Sequence, residues 1–202
     1  NLDSEEEGVA TVSCAGGMHY ALVRPAEREE AHGFPLSLGV SGLLGGHSGS
    51  DIDKERINAV KLMARVLRHL TAGTDCCIIS FDGGSKDNAI PRECTASVLY
   101  PTKAALQQAQ EQAQAMGNAL TAEILPTEPA FAFVSAAGEE AACSVLTAQA
   151  GCALVNAACL APNGVRRRNP KEGNFVVTSL NLGIVRTAGE QLELVFAPRS
   201  SV

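Results

Sequence analysis

Tryptophan is absent from this chain, and Phe, Tyr and Trp together make up only 4% of its 202 residues. A core of that composition has to be built from Ala, Val, Leu and Ile rather than from aromatic anchors. No apolar run approaches the roughly 20 residues that span a bilayer, so no transmembrane helix and no membrane partner are expected. Positive charge is also scarce, with 16 Lys and Arg against 22 Asp and Glu and a net charge of −6. Nucleic acid is therefore excluded as the main partner, because phosphate binding needs a concentrated basic face. The one basic run, Arg166-Arg167-Arg168, lies between Pro162-Asn163-Gly164 and Asn169-Pro170 and reads as a solvated loop.

Several catalytic signatures are missing as well. There is no phosphate-binding loop, no H-E-x-x-H helix and no Ser–His–Asp order. The seven cysteines form no C-x-x-C pair: Cys76 and Cys77 are adjacent, and Cys143, Cys152 and Cys159 fall in an Ala-rich stretch with a helical pattern. That arrangement argues for buried, reduced thiols in a cytoplasmic protein rather than a disulfide framework or a zinc cage. The amino terminus, Asn1-Leu2-Asp3-Ser4-Glu5-Glu6-Glu7, has neither an initiator Met nor the basic-then-apolar shape of a secretion signal. It is read as the start of a piece of a longer polypeptide.

What is present is an alternation of short strands and longer helices. Strands are expected near 17–24 and 34–43, where Leu36, Leu38 and Val40 alternate with Ser37, Gly39 and Ser41. A helix is expected from about Ser50 to Leu70, capped by Ser50 or Asp51, with Ala59, Val60, Met63, Val66, Leu67 and Leu70 as its apolar stripe and Gly73 at its end. Strands near 75–82 and 93–100, a helix after Pro101 to about 120, a strand at Phe131 to Ser135 and a helix over about 138–160 follow. The chain then closes on a hairpin in which Leu180, Leu182 and Ile184 face Leu192, Leu194 and Phe196. This order predicts an α+β fold: an open, mainly antiparallel sheet with helices on one face, built from ferredoxin-like units in tandem, the second truncated.

Four segments collect polar groups among glycines. Asp3, in Asp3-Ser4-Glu5-Glu6-Glu7-Gly8, is a hard oxygen ligand for a divalent metal, although composition favours a solvated tail for an acidic stretch at a terminus and nothing nearby supplies further ligands. His47 stands in Gly45-Gly46-His47-Ser48-Gly49, where flanking glycines allow close backbone approach and an outward imidazole can donate to a developing oxyanion. Asn88, in the turn-rich loop Gly83 to Arg92, offers a donor and an acceptor for a peptide or carboxylate group. Arg199, after Pro198 on the last strand, carries a planar fork suited to a carboxylate. His19, His32 and His69 lack such surroundings and read as ordinary.

Taken together, NLDSEEEG, CAGG, GLLGGHSGSDIDKERINAVKL, GGSKDNAIPRE, APNGV and VVTSLNLGIV resemble, in that order, the aminoacyl-histidine dipeptidases. These Xaa-His, carnosinase-like dipeptidases belong to the co-catalytic zinc peptidase clan of carboxypeptidase G2. The resemblance implies that residues 1–16 are the edge of a catalytic domain plus a linker, and that 17–202 form the inserted lid and dimerisation domain. It implies two zinc ions in the full-length parent, with Asp3 as a terminal zinc ligand. His47 is implied as the lid histidine that polarises the scissile carbonyl, often in the other subunit's site. Asn88 and Arg199 are implied as substrate-holding groups, Arg199 at the free carboxylate. The remaining ligands and the general base would lie outside residues 1–202, and Glu5, Glu6 and Glu7 are not that base. The expected partners are a dipeptide and a second copy of the chain, and the chain alone is expected to be inactive. Two other readings stay open: a non-catalytic self-association or ligand-binding module, and a clan relative acting on tripeptides or N-acyl amino acids.

Overall fold

The computed structural model describes residues 14–171 and 173–201. Twelve strands and three helices alternate among them: β1 (Gly16–Gly17), β2 (Tyr20–Pro25), β3 (Arg28–Ser41), β4 (Gly46–His47), α1 (Ala59–Thr71), β5 (Cys77–Gly83), β6 (Ala89–Ile90), β7 (Cys94–Tyr100), α2 (Lys103–Ile124), β8 (Ala132–Ala137), β9 (Ala141–Leu146), α3 (Ala148–Leu160), β10 (Gly164–Asn169), β11 (Phe175–Arg186) and β12 (Gln191–Ser200). Ten of the strands join one sheet with the order β1-β12-β11-β5-β7-β3-β8, while β2 pairs with β12, β10 with β11 and β9 with β3. Every strand pair among the described residues is antiparallel.

The strand alternation sets the layers. Leu36, Leu38 and Val40 on β3 and Ala96 and Val98 on β7 point into the core, while Ser41 and Thr95 point out to solvent. Against that inner face pack the three helices, and the expected stripe of α1 is buried throughout. The α+β class with a mainly antiparallel sheet is thus what the alternation of elements demands. Instead of standing apart, the closing hairpin β11–β12 joins the strands of the first half where Val185 pairs with Gly83.

Three local expectations are corrected. The first long helix begins at Ala59, not near Ser50, because Asn58 is its cap: the Asn58 Oδ1 accepts the N–H groups of Val60 and Lys61 at 3.0 and 3.1 Å. Residues 141–146, expected in a helix, form β9 along the first half of β3, and Thr147 caps α3 after it. The basic run is not a loop: Arg166, Arg167 and Arg168 lie in β10, with Arg168 reaching Glu55 at 3.4 Å. The cysteines are free, but only Cys94 is fully buried, while Cys14 and Cys152 are exposed. No helix among the described residues is long and apolar enough to cross a membrane.

Candidate functional site

His47 sits on β4, a two-residue strand that pairs with β6 so that His47 faces Ala89 and Gly46 faces Ile90. The preceding turn needs glycine: Gly45 and Gly46 have φ of +61° and +140°, and a Cβ on Gly45 would fall 2.3 Å from Arg92 Cγ. Asp51 closes the turn from the other side, its Oδ2 accepting the His47 N–H at 2.8 Å and its own N–H donating to the His47 carbonyl at 3.0 Å. The Lys54 ammonium, donating to Asp51 Oδ1 at 2.5 Å, is the main cause holding the Asp51 carboxyl below its ordinary range, and the His47 N–H adds to it. That carboxyl, expected to cap a helix, is thus spent on the histidine turn.

The imidazole is oriented by its own loop. His47 Nδ1 accepts the N–H groups of Gly49 and Ser50, both at 3.3 Å. A ring nitrogen facing two backbone donors is the acceptor nitrogen, so the proton of the neutral ring is assigned to Nε2. The exposed edge of His47 therefore presents a donor.

Arg199 reaches the same place from the far end of the chain. On β12 it pairs with Gly17 of β1 on one side and Ser179 of β11 on the other. A Cβ added to Gly49 would meet His47 Cε1 at 3.1 Å and Arg199 Cζ at 3.2 Å, so imidazole and guanidinium both lie against this one residue. Gly49 has no side chain to separate them. Arg199 Nε is buried without a hydrogen-bond partner, as is Ser48 Oγ next to His47. An unpaired buried guanidinium nitrogen is costly unless an acceptor is supplied.

Asn88 precedes β6 and is tied to the histidine turn by its carbonyl, which accepts the Ser48 N–H at 2.8 Å. Three of the four expected residues, His47, Asn88 and Arg199, are thus brought to one region. Asp3 lies outside the described residues. Among the described residues no three His, Cys, Asp or Glu side chains gather as metal ligands would. The described side chains of this region do not by themselves fit a zinc ion.

Two further features of the region were not legible beforehand. His19, read as ordinary, contacts the Asp87 carboxylate one residue before Asn88. The buried Asn58 and Asn181 form an amide network with the half-buried Asn163 behind it. Their only sequence signal was position: each falls in a segment that carries the family resemblance, INAV, APNG and LNLG.

Residues 38–127 match the sequence profile of the peptidase dimerisation domain. Those residues carry a peptidase dimerisation domain. His47 and Asn88 lie within the matched residues of that dimerisation domain, and Arg199 lies beyond them. Over its whole length the chain is 33% identical to the cytosol non-specific dipeptidase of Escherichia coli (strain K12), of which it covers 42%. It is also similar, at 33% identity and a TM-score of 0.87, to the crystal structure of aminoacylhistidine dipeptidase from Vibrio alginolyticus, covering 99% of this chain and 41% of that one. The chain that bears the dimerisation domain thus spans about two fifths of the length of these relatives.

Proposed function

We propose that this chain is the lid of a longer dipeptidase that hydrolyses Xaa-His and related dipeptides. The observation that carries this reading is the meeting at Gly49 of an outward imidazole Nε2–H and a guanidinium whose buried Nε has no partner. Peptide hydrolysis builds negative charge on the carbonyl oxygen, and a fixed neutral donor such as His47 Nε2–H stabilises it. Arg199 binds the free carboxylate of the dipeptide, and Asn88 orients the peptide group. The two relatives, both named dipeptidases, support the substrate class.

In this reading residues 1–16 are the edge of the catalytic domain with its linker, and 17–202 are the lid, two tandem ferredoxin-like units sharing one sheet. The two zinc ions of the parent belong to the rest of the longer protein, with Asp3 as this chain's ligand. A second copy docks through the sheet end at β8, where Val134 is 63% exposed, together with α2. The protein is cytoplasmic, in keeping with its cytosol relative and its free thiols.

The test is His47→Ala in the longer protein. Loss of one oxyanion donor should lower kcat by about 10²–10³, with a much smaller change in KM. Unchanged turnover refutes the role of His47. The chain alone, assayed with added zinc, should not hydrolyse β-Ala-His, and measurable turnover there refutes the division of labour.

A further inference from the structure

Besides its carbonyl bond to Ser48, Asn88 is held through the residues on either side of it. The segment around it lies across β11 at a bulge, where Leu182 pairs with Phe196 but Ile184 pairs with Val195, leaving Gly183 as the extra residue. The segment presses closely on Gly183: a Cβ there would fall 2.4 Å from the Asp87 carbonyl oxygen and 2.6 Å from Asp87 Cα. Two residues before it, Asn181 is 1% exposed. Its Nδ2 donates to the carbonyls of Asp87 at 2.9 Å and Ala89 at 2.8 Å, the two residues that flank Asn88.

The chemistry of this contact is particular to an amide. Two carbonyls on one side of the side chain require two hydrogens there, which Nδ2 supplies, and leave Oδ1 facing the other way. Asn58 Nδ2 lies on that other side, giving one hydrogen to the Leu182 carbonyl at 2.8 Å and sharing the other between Asn163 Oδ1 at 3.2 Å and Asn181 Oδ1 at 3.4 Å. Asn163 Oδ1 in turn accepts the Leu182 N–H at 2.8 Å. Because Asn58 caps α1, the network ties the flanks of Asn88 to the start of the central helix and to the middle of β11. An isosteric carboxylate at 181 would set acceptors against two carbonyls.

We infer that Asn181 is a positioning residue for Asn88: it fixes the backbone on both sides of the substrate-holding asparagine while touching no substrate itself. This rests on the role given to Asn88 above. The experiment is a double-mutant cycle in the longer protein, with Asn181→Asp and Asn181→Ser each made in the wild-type and Asn88→Ala backgrounds. Dipeptide KM and kcat are measured separately, with thermal unfolding as a control.

In the wild-type background each Asn181 variant should raise KM by about tenfold or more. In the Asn88→Ala background the same change should move KM by less than about twofold, because the residue it acts through is gone. Equal losses in both backgrounds, or no loss in either, overturn the inference while leaving Asn88 its role. If Asn88→Ala itself leaves KM unchanged, the reading of Asn88 falls and takes the inference with it. If neither Asn181 variant folds, Asn181 is a core residue only, and the inference is overturned.

Discussion

Glu128 is a carboxyl side chain 1% exposed, and no cation is paired with it among the described residues. Its two oxygens are instead divided between the ends of the loop that carries His47: Oε2 accepts the Leu44 N–H at 2.6 Å and Oε1 the Ile57 N–H at 3.2 Å. Glu128→Gln keeps shape and one acceptor but turns an NH2 group against one of those donors. That should cost about 1–3 kcal/mol, the range for one buried polar group left without its partner. Glu128→Ala frees both donors, about 2–6 kcal/mol on the same scale, and the space it opens adds to that. With no Trp to report, unfolding in urea is best followed by far-UV circular dichroism, with hydrogen exchange at the Leu44 and Ile57 amides as the local readout. Faster exchange at both amides in Glu128→Ala, but mainly at one in Glu128→Gln, is the expected pattern. Two variants within about 0.5 kcal/mol of the parent, or a Gln variant weaker than the Ala one, would refute the clamp.

Other expectations are quicker to check. Arg199→Lys in the longer protein keeps the charge but loses the planar fork, so dipeptide KM should rise by about tenfold with kcat little changed; a normal KM would remove the carboxylate role. Gly42→Ala should destabilise the domain by at least about 2 kcal/mol, since φ there is +75° and a Cβ would sit 1.8 Å from the Ala130 carbonyl oxygen; an unchanged denaturation midpoint refutes that packing. A thiol reagent at pH 8 should modify exposed Cys14 and Cys152 first. Cys76, whose thiol burial pushes up to about 11, and Cys94, pushed up further by burial, should lag, and Cys76 should quicken as pH approaches 11. Equal rates for Cys94 and Cys152 at pH 8 would contradict this.

Local periodicity was enough to find β3, α1 and the β11–β12 hairpin, because each shows one apolar face to the core and that face repeats in the sequence. The loops bearing His47 and Asn88 were legible for a related reason: glycine clusters mark backbone that only glycine tolerates, and polar residues set among them are presented outward. The same rules misplaced the start of α1 because Ser50, Asp51 and Asn58 are all competent caps. What chose Asn58 was a tertiary bond from its Nδ2 to the Leu182 carbonyl. Nor could they find β9 and β10, since AACSVL and GVRRRN become strands by pairing with distant β3 and β11. Sequence alone, then, determined the class of fold and which side chains were chemically able to hold a peptide. That His47 and Arg199 share Gly49, and that Asn181 stands behind Asn88, was decided only by the tertiary structure. Contacts between residues so far apart in the chain leave no periodic trace, and they come into being when the sheet closes.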